Sequence, residues 1–275
     1  MKKRFENEKY IYNRNNIFQR IIVLKTNRYK RAKYQEFFIE GVKNIQAALK
    51  FGWEIKYWIY TAQTLSNWSI KMIKEHPAEY NYCFTEELIA EISSKEKPSE
   101  LMAVLKMKKQ KIKPSINPFI IVCDRVSKKG NLGSIIRSAD AFGCDGIIIT
   151  GHSVDIYDPE VIRSSVGSYF AVKVEHIDNN KDLIERFTEW KQLFPEIKFI
   201  ATDENANQNI NEIDFKTPCI LLVGNETHGL SNFYLELADT MAKIPMVGNA
   251  TSFNLACATS IFIYEAFLQR TNLKR

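Results

Sequence analysis

The second half of the chain contains four short apolar runs, each followed directly by Gly or Asp. The runs are FIIVC (119–123), GIIIT (146–150), KFIAT (198–202) and CILLV (219–223). Continuous apolar strands of this length are typical of a parallel sheet that is buried on both faces. Helical patterns lie between and after the runs, at 132–142, 181–194 and 252–269. This alternation predicts an α/β fold with a parallel sheet covered by helices on both faces.

A smaller alternating region comes earlier in the chain. Within residues 35–105, apolar residues recur at helical spacing from position 42 onward, and the segment 54–60 alternates like a strand. Residues 106–118 combine many like charges with two prolines, a composition typical of a linker. We therefore predict a small α/β domain with a basic N-terminal extension in 1–105, a linker in 106–118 and a second domain in 119–275.

Charge is distributed unevenly along the chain. Residues 1–113 carry a net charge of +11, whereas residues 114–275 carry −5. A basic half joined to an acidic half indicates that the first half meets a polyanion such as nucleic acid. A solvated basic face without a partner is the alternative that charge alone leaves open.

The segment KTNRYKRAKY (25–34) interleaves cations with two tyrosines. Lys30 and Arg31 are candidates for phosphate contacts, and Tyr29 and Tyr34 for stacking on unpaired bases. The alternative is a charged helix surface with the tyrosines packed beneath it.

Several other classes of protein are disfavoured. The longest apolar stretch, 253–268, is interrupted by polar residues, and the basic N-terminus lacks the apolar core of a signal peptide. We therefore expect a cytoplasmic protein that does not enter a membrane. The five cysteines are scattered without CxxC or Cys/His spacing, so we expect buried thiols and no metal site.

The loop GNETHGLS (224–231) follows the last apolar run. Gly224 and Gly229 permit a close approach of the backbone to a ligand. No GxGxxG or Walker pattern accompanies the loop, which disfavours nicotinamide-binding and nucleotide-hydrolysing proteins.

A second loop, IPMVGNATSFNL (244–255), leads into the last helix. Ser252 is well placed as the N-cap of that helix. Asn254 lies early in an otherwise apolar helix, so it needs a hydrogen-bond partner if it is buried.

A third segment, NLGSIIRSADAFG (131–143), places Arg137 on a helix among small and apolar residues. A salt bridge to Asp140 would explain Arg137 without any function. Taken in order and spacing, the three segments resemble the three motifs of the SpoU family of RNA 2′-O-ribose methyltransferases, within the SPOUT class. The resemblance covers residues 119–270 and, more loosely, 25–105.

The resemblance implies a trefoil-knotted SPOUT catalytic domain preceded by a ribosomal-protein-like domain that binds the RNA substrate. It also implies S-adenosylmethionine as the cofactor, clasped by the loops of the knot. Gly224, Ile244 and Phe253 would contact it largely through backbone, and Thr202 and Met246 would line the adenine pocket. Phe253 stands where the family usually has Leu, so adenine packing can differ if that contact is made by the side chain.

The catalytic residues are likewise implied by the resemblance. Arg137 resembles the family's catalytic arginine, and Asn131 the asparagine that orients it or the second protomer's loop. Glu226, Ser252 and Asn254 would orient the ribose hydroxyl and Arg137. Arg137 would act either as the base or as a clamp on the RNA phosphate while water takes the proton.

The resemblance also implies the partners: a homodimer and a structured RNA, with 23S rRNA preferred and tRNA possible. Arg163, in RSSVGSYF (163–170), would lie near the RNA phosphate; a surface arginine on a short helix is the alternative. This segment is similar to that of the thiopeptide-resistance 23S rRNA methyltransferases.

Two rival functions remain at the level of sequence. A nonenzymatic RNA-binding protein on the same fold would be favoured by loss of Arg137 or of the Gly224 loop, and both are present. A SPOUT methyltransferase that modifies a base is disfavoured by the NxGxxxR pattern of the first motif and the SxN of the third.

Overall fold

The computed structural model describes residues 4–63 and 65–271. Contacts divide the chain into two compact units, one of Met1–Lys108 with Tyr157–Phe170 and the other of Lys109–Ile156 with Ala171–Arg275. The segment Tyr157–Phe170 lies inside the predicted second domain in sequence but groups with the first unit. Each unit is described by itself.

Helices and strands alternate along most of the chain. The first part contains β1 (Glu8–Ile11), α1 (Asn16–Thr26), α2 (Arg28–Tyr34), β2 (Glu36–Glu40), α3 (Val42–Lys50), β3 (Ile55–Thr61), α4 (Asn67–Glu75), β4 (Tyr80–Phe84), α5 (Glu86–Ile92) and β5 (Leu101–Lys106). The second part contains β6 (Phe119–Asp124), α6 (Lys129–Ala141), β7 (Gly146–Thr150), α7 (Pro159–Ser165), α8 (Ser168–Ala171), β8 (Val174–Ile177), α9 (Asn180–Leu193), β9 (Lys198–Thr202), β10 (Gln208–Asn209), a 3-10 helix (Ile210–Glu212), β11 (Cys219–Val223), α10 (Asn232–Leu237), β12 (Thr240–Lys243) and α11 (Leu255–Thr271).

The first unit is built on a five-stranded mixed sheet in the order β1-β4-β3-β5-β2. Strands β1, β4 and β3 run parallel, and β5 runs antiparallel to both β3 and β2. Apolar side chains of α1 and α5 pack on this sheet, with Leu24 and Ile92 fully buried. The predicted small α/β domain is therefore confirmed.

The second unit is built on a seven-stranded sheet in the order β10-β12-β9-β11-β6-β7-β8. All of its pairings are parallel, as predicted. Every residue of the central strands β11, β6 and β7 is buried, which explains their continuous apolar sequences. Helix α9 covers part of the sheet, and its Phe187 ring meets Phe199 edge-on at 4.9 Å between centroids.

Strand ends and helix starts differ in how well the sequence predicted them. The predicted strand ends at Thr150, Thr202 and Val223 are confirmed. Helix α6 begins three residues earlier than predicted, at Lys129, and α11 begins three residues later, at Leu255. Long-range hydrogen bonds at both helix starts, described below, account for the differences.

The described residues contain neither a membrane-spanning helix nor a cluster of metal ligands. In residues 4–63 and 65–271 no helix is long and apolar enough to cross a bilayer. Over the same residues, no group of three or more His, Cys, Asp and Glu is placed to hold a metal ion.

Candidate active site

The candidate site lies where several parallel strands of the second unit end. Strand β11 pairs with β6 on one side and β9 on the other, and β9 also pairs with β12. Because carboxyl ends of parallel strands share one edge, the loops after these four strands gather there. Two of them are the motif loops 224–231 and 244–254.

Glu226, in the first of these loops, accepts hydrogen bonds from the start of helix α6. Its Oε2 accepts from the Ser127 backbone N–H at 3.0 Å and the Ser127 hydroxyl at 2.6 Å. Its Oε1 accepts from the Lys128 backbone N–H at 2.9 Å and from Asn131 Nδ2 at 2.9 Å. The carboxylate thus caps a helix 100 residues away in sequence, which is why α6 begins earlier than its local sequence predicts.

The charge of Glu226 is fixed by the same contacts. Burial raises the pKa of this carboxyl, but hydrogen bonds from Ser127 and Asn131 outweigh burial and lower the pKa to about 2. Glu226 is therefore an acceptor at every pH at which a cell operates.

Because Glu226 can only accept hydrogen bonds, it determines how the side-chain amides of Asn131 and Asn254 are oriented. Asn131 must turn its Nδ2 toward Glu226, so its Oδ1 faces the other way and accepts from Asn254 Nδ2 at 3.1 Å. Asn254 Oδ1 in turn accepts from the backbone N–H groups of Ala256 at 3.0 Å and Cys257 at 3.3 Å. We call Glu226, Asn131 and Asn254 the amide relay; it joins all three sequence motifs.

The predicted N-cap of the last helix, α11, was wrong. Asn254, and not Ser252, caps α11, since its side chain takes the first free N–H groups and its carbonyl accepts from Ala258. Ser252 is exposed in the loop before the cap. The expected condition for a partner, burial of Asn254, is not met, since Asn254 is exposed; it is nevertheless bonded, to Asn131 of another motif.

A second group of polar residues holds the loop 224–231. Asp124, the last residue of β6, and Arg125, the next residue, form a two-bonded ion pair at 2.9 and 2.8 Å. Arg125 also donates to the Gly229 carbonyl at 3.3 Å, and its own carbonyl accepts from Asn225 Nδ2 at 2.8 Å. Arg125 has φ +53, a costly conformation for a residue other than Gly. The sequence analysis missed this pair, although two opposite charges at the end of a predicted strand were visible.

Gly224 is required by the loop itself. A Cβ at this position would lie 2.2 Å from the Gly229 carbonyl carbon and 2.3 Å from the Leu230 nitrogen. Residues 225 and 229 pair as an isolated bridge, so the loop folds back over Gly224. Gly224 therefore permits a backbone-to-backbone contact, and it does not line the groove described next.

A groove of about 120 Å³ lies beside the relay. Its walls include five residues that the sequence analysis singled out: Thr202, Ile244, Met246, Ser252 and Phe253. Six further residues line the groove and were not predicted: Asp203, Glu204, Ala242, Lys243, Ala258 and Phe262. Of these, only the two acids directly after β9 gave a signal in the sequence. The Phe253 side chain is 42% exposed, so an apolar ring stands at the mouth of the groove without a cover.

Arg137 lies on helix α6 and is exposed. Across residues 4–63 and 65–271 its side chain makes no ion pair or hydrogen bond, so the alternative salt bridge to Asp140 is not formed. Relay residues do not orient Arg137 in this structure, since their bonds run to one another. The adjacent Ser138 is bonded to Ser260 of α11 at 2.7 Å, which fixes the two helices side by side.

The other three sequence candidates lie in the first unit. Arg163 is exposed on α7, and Lys30 is half-buried on α2. Arg31 is 2% exposed, and its guanidinium donates to the carbonyls of Leu24 at 2.9 Å and Lys25 at 3.1 Å. A buried, satisfied guanidinium is not open to a phosphate, so the expected RNA contact of Arg31 is corrected to a structural role.

Comparisons with known proteins follow the same division of the chain. The model of the SpoU rRNA Methylase family matches residues 118–264, and that of the SpoU L30e-like domain matches residues 15–103. The chain belongs to the SpoU rRNA Methylase family. The resemblance noted from the three motifs is thereby confirmed.

Named relatives of the chain act on ribosomal RNA. It is 36% identical over 265 residues to the 23S rRNA (uridine(2479)-2′-O)-methyltransferase of Streptomyces viridochromogenes, which covers 94% of this chain and 92% of that protein. It is 28% identical over 236 residues to the 23S rRNA (guanosine(2553)-2′-O)-methyltransferase RlmP of Bacillus subtilis, with coverage of 86% and 90%.

Solved structures of similar proteins include complexes with a cofactor. The SpoU methyltransferase AviRb of Streptomyces viridochromogenes in complex with AdoMet has a TM-score of 0.90 at 34% identity, covering 95% of this chain and all of that one. An AdoMet-bound rRNA methyltransferase from Sinorhizobium meliloti has a TM-score of 0.84 at 29% identity, covering 98% and 100%.

Proposed function

We propose that this protein transfers a methyl group from S-adenosylmethionine to a ribose 2′-hydroxyl of 23S rRNA. The observation that carries the proposal is that the amide relay joins the three SpoU motifs, and that the third motif also lines a groove at the ends of β9 and β12. The 2′-O-methyltransferase relatives that match nearly the whole chain support the substrate and the reaction.

The residues around the groove suit the cofactor. Thr202, Ile244, Met246 and Phe253 offer apolar walls and backbone groups of the kind that hold an adenine ring. Gly224 allows the loop 224–231 to fold back closely on its own backbone. When bound, S-adenosylmethionine supplies a sulfonium methyl group, and the new C–O bond forms as the C–S bond breaks and its electron pair stays on sulfur.

Arg137 is the residue we assign to the reacting hydroxyl. Its guanidinium is exposed and unpaired among the described residues, so it can hold an RNA phosphate with two parallel hydrogen bonds. A guanidinium is a poor base, so we assign it charge stabilisation and give the proton to water. The relay residues Asn131, Glu226 and Asn254 act by fixing the loops, and Ser252 remains available to the substrate at the groove.

We also propose that the protein works as a homodimer. Helices α6 and α11 together present an aromatic cluster, in which Phe142 lies 5.4 Å from Tyr264 and 5.2 Å from Phe267 between ring centroids. Tyr264 is 48% exposed. A partly exposed aromatic cluster between the end of α6, the helix that carries Arg137, and α11 favours a second protomer that completes the site.

Four predictions made from the sequence remain untested. The trefoil knot, cytoplasmic location, likeness to thiopeptide-resistance enzymes and the RNA contact of Arg163 are predictions still. A tRNA substrate is the second candidate, but the two relatives named above carry 23S rRNA activities.

The test is a methyl-transfer assay with labelled S-adenosylmethionine and 23S rRNA or tRNA. A ribose methylation makes one phosphodiester resistant to alkaline cleavage, because the 2′-oxygen can no longer attack. Label on 23S rRNA together with one such resistant position is the expected result. Label without resistance would assign a base-methylating enzyme, and no label on either RNA would leave an RNA-binding protein.

A further inference from the structure

Helix α2 has one buried and one exposed face, although cations and tyrosines occur along its whole sequence. Arg31 points inward and, besides the two carbonyls of α1, its Nη2 lies 3.5 Å from the carboxylate of Asp158 in the same unit. Both groups are at least nine-tenths buried. The anchor of Arg31 therefore fixes which residues of α2 face the solvent.

The two tyrosines of this segment have opposite environments. Tyr34 is half-buried, packs against the apolar core of the first unit, and has the Arg20 guanidinium 4.4 Å above its ring. Tyr29 is 85% exposed, and it makes no hydrogen bond and no aromatic or cation–π contact with a described residue. Packing thus explains Tyr34 and leaves Tyr29 without a structural role.

A cation lies on the same face as Tyr29. Lys33 follows by four residues, which puts it one helical turn away with a Cβ distance of about 5–6 Å. Lys33 is exposed and pairs with no acid among the described residues. A free aromatic face next to a free ammonium is the pair of groups that single-stranded RNA uses, one for a base and the other for its phosphate.

We propose that Tyr29 and Lys33 bind an unpaired nucleotide of the RNA substrate. The Tyr29 ring stacks on the base, and the Lys33 ammonium pairs with a neighbouring phosphate. This proposal rests on the proposed function, because it takes RNA as the substrate, and it replaces Arg31 as the contact within α2. The +11 charge of residues 1–113 favours RNA over a protein partner for this face.

Binding of the full-length protein to two probes tests the proposal. The probes are an oligouridine of about 12 nucleotides, within the usual site size of one binding module, and a fully paired RNA hairpin. Tyr29→Ala should weaken oligouridine binding about 5- to 150-fold, the range for one lost stacked base, and change hairpin binding little. Tyr29→Phe keeps the ring and should bind like the wild type.

Salt dependence separates the two side chains. Lys33→Ala should lower the slope of log K against log salt by about 0.7, the value for one phosphate of a single strand, and Tyr29→Ala should leave the slope unchanged. Tyr12→Ala is the matched control, since Tyr12 is an exposed tyrosine of the same unit, 68% exposed. It should change neither affinity nor slope.

Three results would overturn the proposal: wild-type affinity of Tyr29→Ala for oligouridine, an equal loss for both probes, or an equal loss in Tyr12→Ala. Unchanged thermal unfolding of Tyr29→Ala excludes a folding defect. Methyl transfer to 23S rRNA by the wild-type protein is measured in parallel. If transfer occurs while Tyr29→Ala binds normally, this proposal fails alone; if no transfer occurs, the proposed function fails.

Discussion

Polar side chains around Glu226 bond one another, whereas Tyr29 and Lys33 of α2 make no hydrogen bond or ion pair with another described residue. In the second unit, the Glu226 carboxylate accepts five hydrogen bonds, and the side chains of Asn131 and Asn254 connect it to the loop before α11. In the first unit, Tyr29 and Lys33 stand free beside a buried Arg31 anchor. The difference indicates a preorganised site for chemistry and an adaptable surface for RNA.

Substitutions in the two regions should therefore have different effects. Groups that share one network respond together, so a single change in the relay should alter loops that it does not touch. Changes on the outer face of α2 should instead act one by one and leave folding intact.

Gly224→Val should abolish cofactor binding. The new side chain meets the backbone of Gly229 and Leu230, so the loop must open, at a cost of about 1–3 kcal/mol or more in unfolding free energy. Calorimetric titration with S-adenosylmethionine and thermal unfolding measure the two effects. Gly130→Ala is the control, because nothing lies within 4 Å of a Cβ there. Normal cofactor affinity in Gly224→Val would show that the loop does not shape the groove.

Glu226→Gln should weaken the relay and change its response to pH. The amide of Gln cannot accept at both ends, so hydrogen bonds to a charged group are lost at about 1.5–3 kcal/mol each before relaxation. In the wild type the folded pKa of Glu226, about 2, lies below its ordinary value of 4.5. The carboxylate therefore stabilises the fold above its ordinary pKa, and that stability is lost as the pH falls from about 5 to about 2.

Unfolding free energy measured over that pH window tests this prediction. The wild type should lose more stability than Glu226→Gln between the two limits, because the variant has no carboxyl to protonate. Equal losses would mean that Glu226 is not held by the hydrogen bonds described for it.

Asn254→Ala should destabilise the protein by about 1 kcal/mol, the usual cost of removing an N-cap. Ser252→Ala should stay within about 0.5 kcal/mol, since Ser252 is exposed and caps nothing. Denaturant unfolding of the two variants makes the comparison. A larger effect from Ser252→Ala would restore Ser252 as the cap.

Features encoded locally could be predicted from the sequence. The strand ends at Thr150, Thr202 and Val223 follow from continuous apolar runs that stop at Gly or Asp. Groove residues such as Thr202 and Ile244 were predicted through the resemblance to the SpoU motifs, and in the structure both line the groove.

Features set by distant contacts could not be predicted. The early start of α6 depends on Glu226, and the cap of α11 depends on an Asn254 amide that Asn131 orients. The burial of Arg31 depends on Asp158, which is 127 residues away in sequence. A run of alternating cations and tyrosines cannot show which of its members faces inward, because the helix phase is set by such contacts.

Single-turnover methyl transfer by Arg137→Ala, with saturating cofactor and 23S rRNA, tests the central claim most directly. Arg137 is exposed and unpaired among the described residues, so the variant should keep its fold and its cofactor affinity. Its rate should fall by about 10²–10⁴, the range for a lost electrostatic or acid–base group. Arg137→Lys should not restore it, because one ammonium cannot form the planar two-bonded contact. Lys181→Ala, which removes another exposed positive charge, from α9, should react at the wild-type rate. A near-normal rate for Arg137→Ala would contradict the placement of the reaction at this helix.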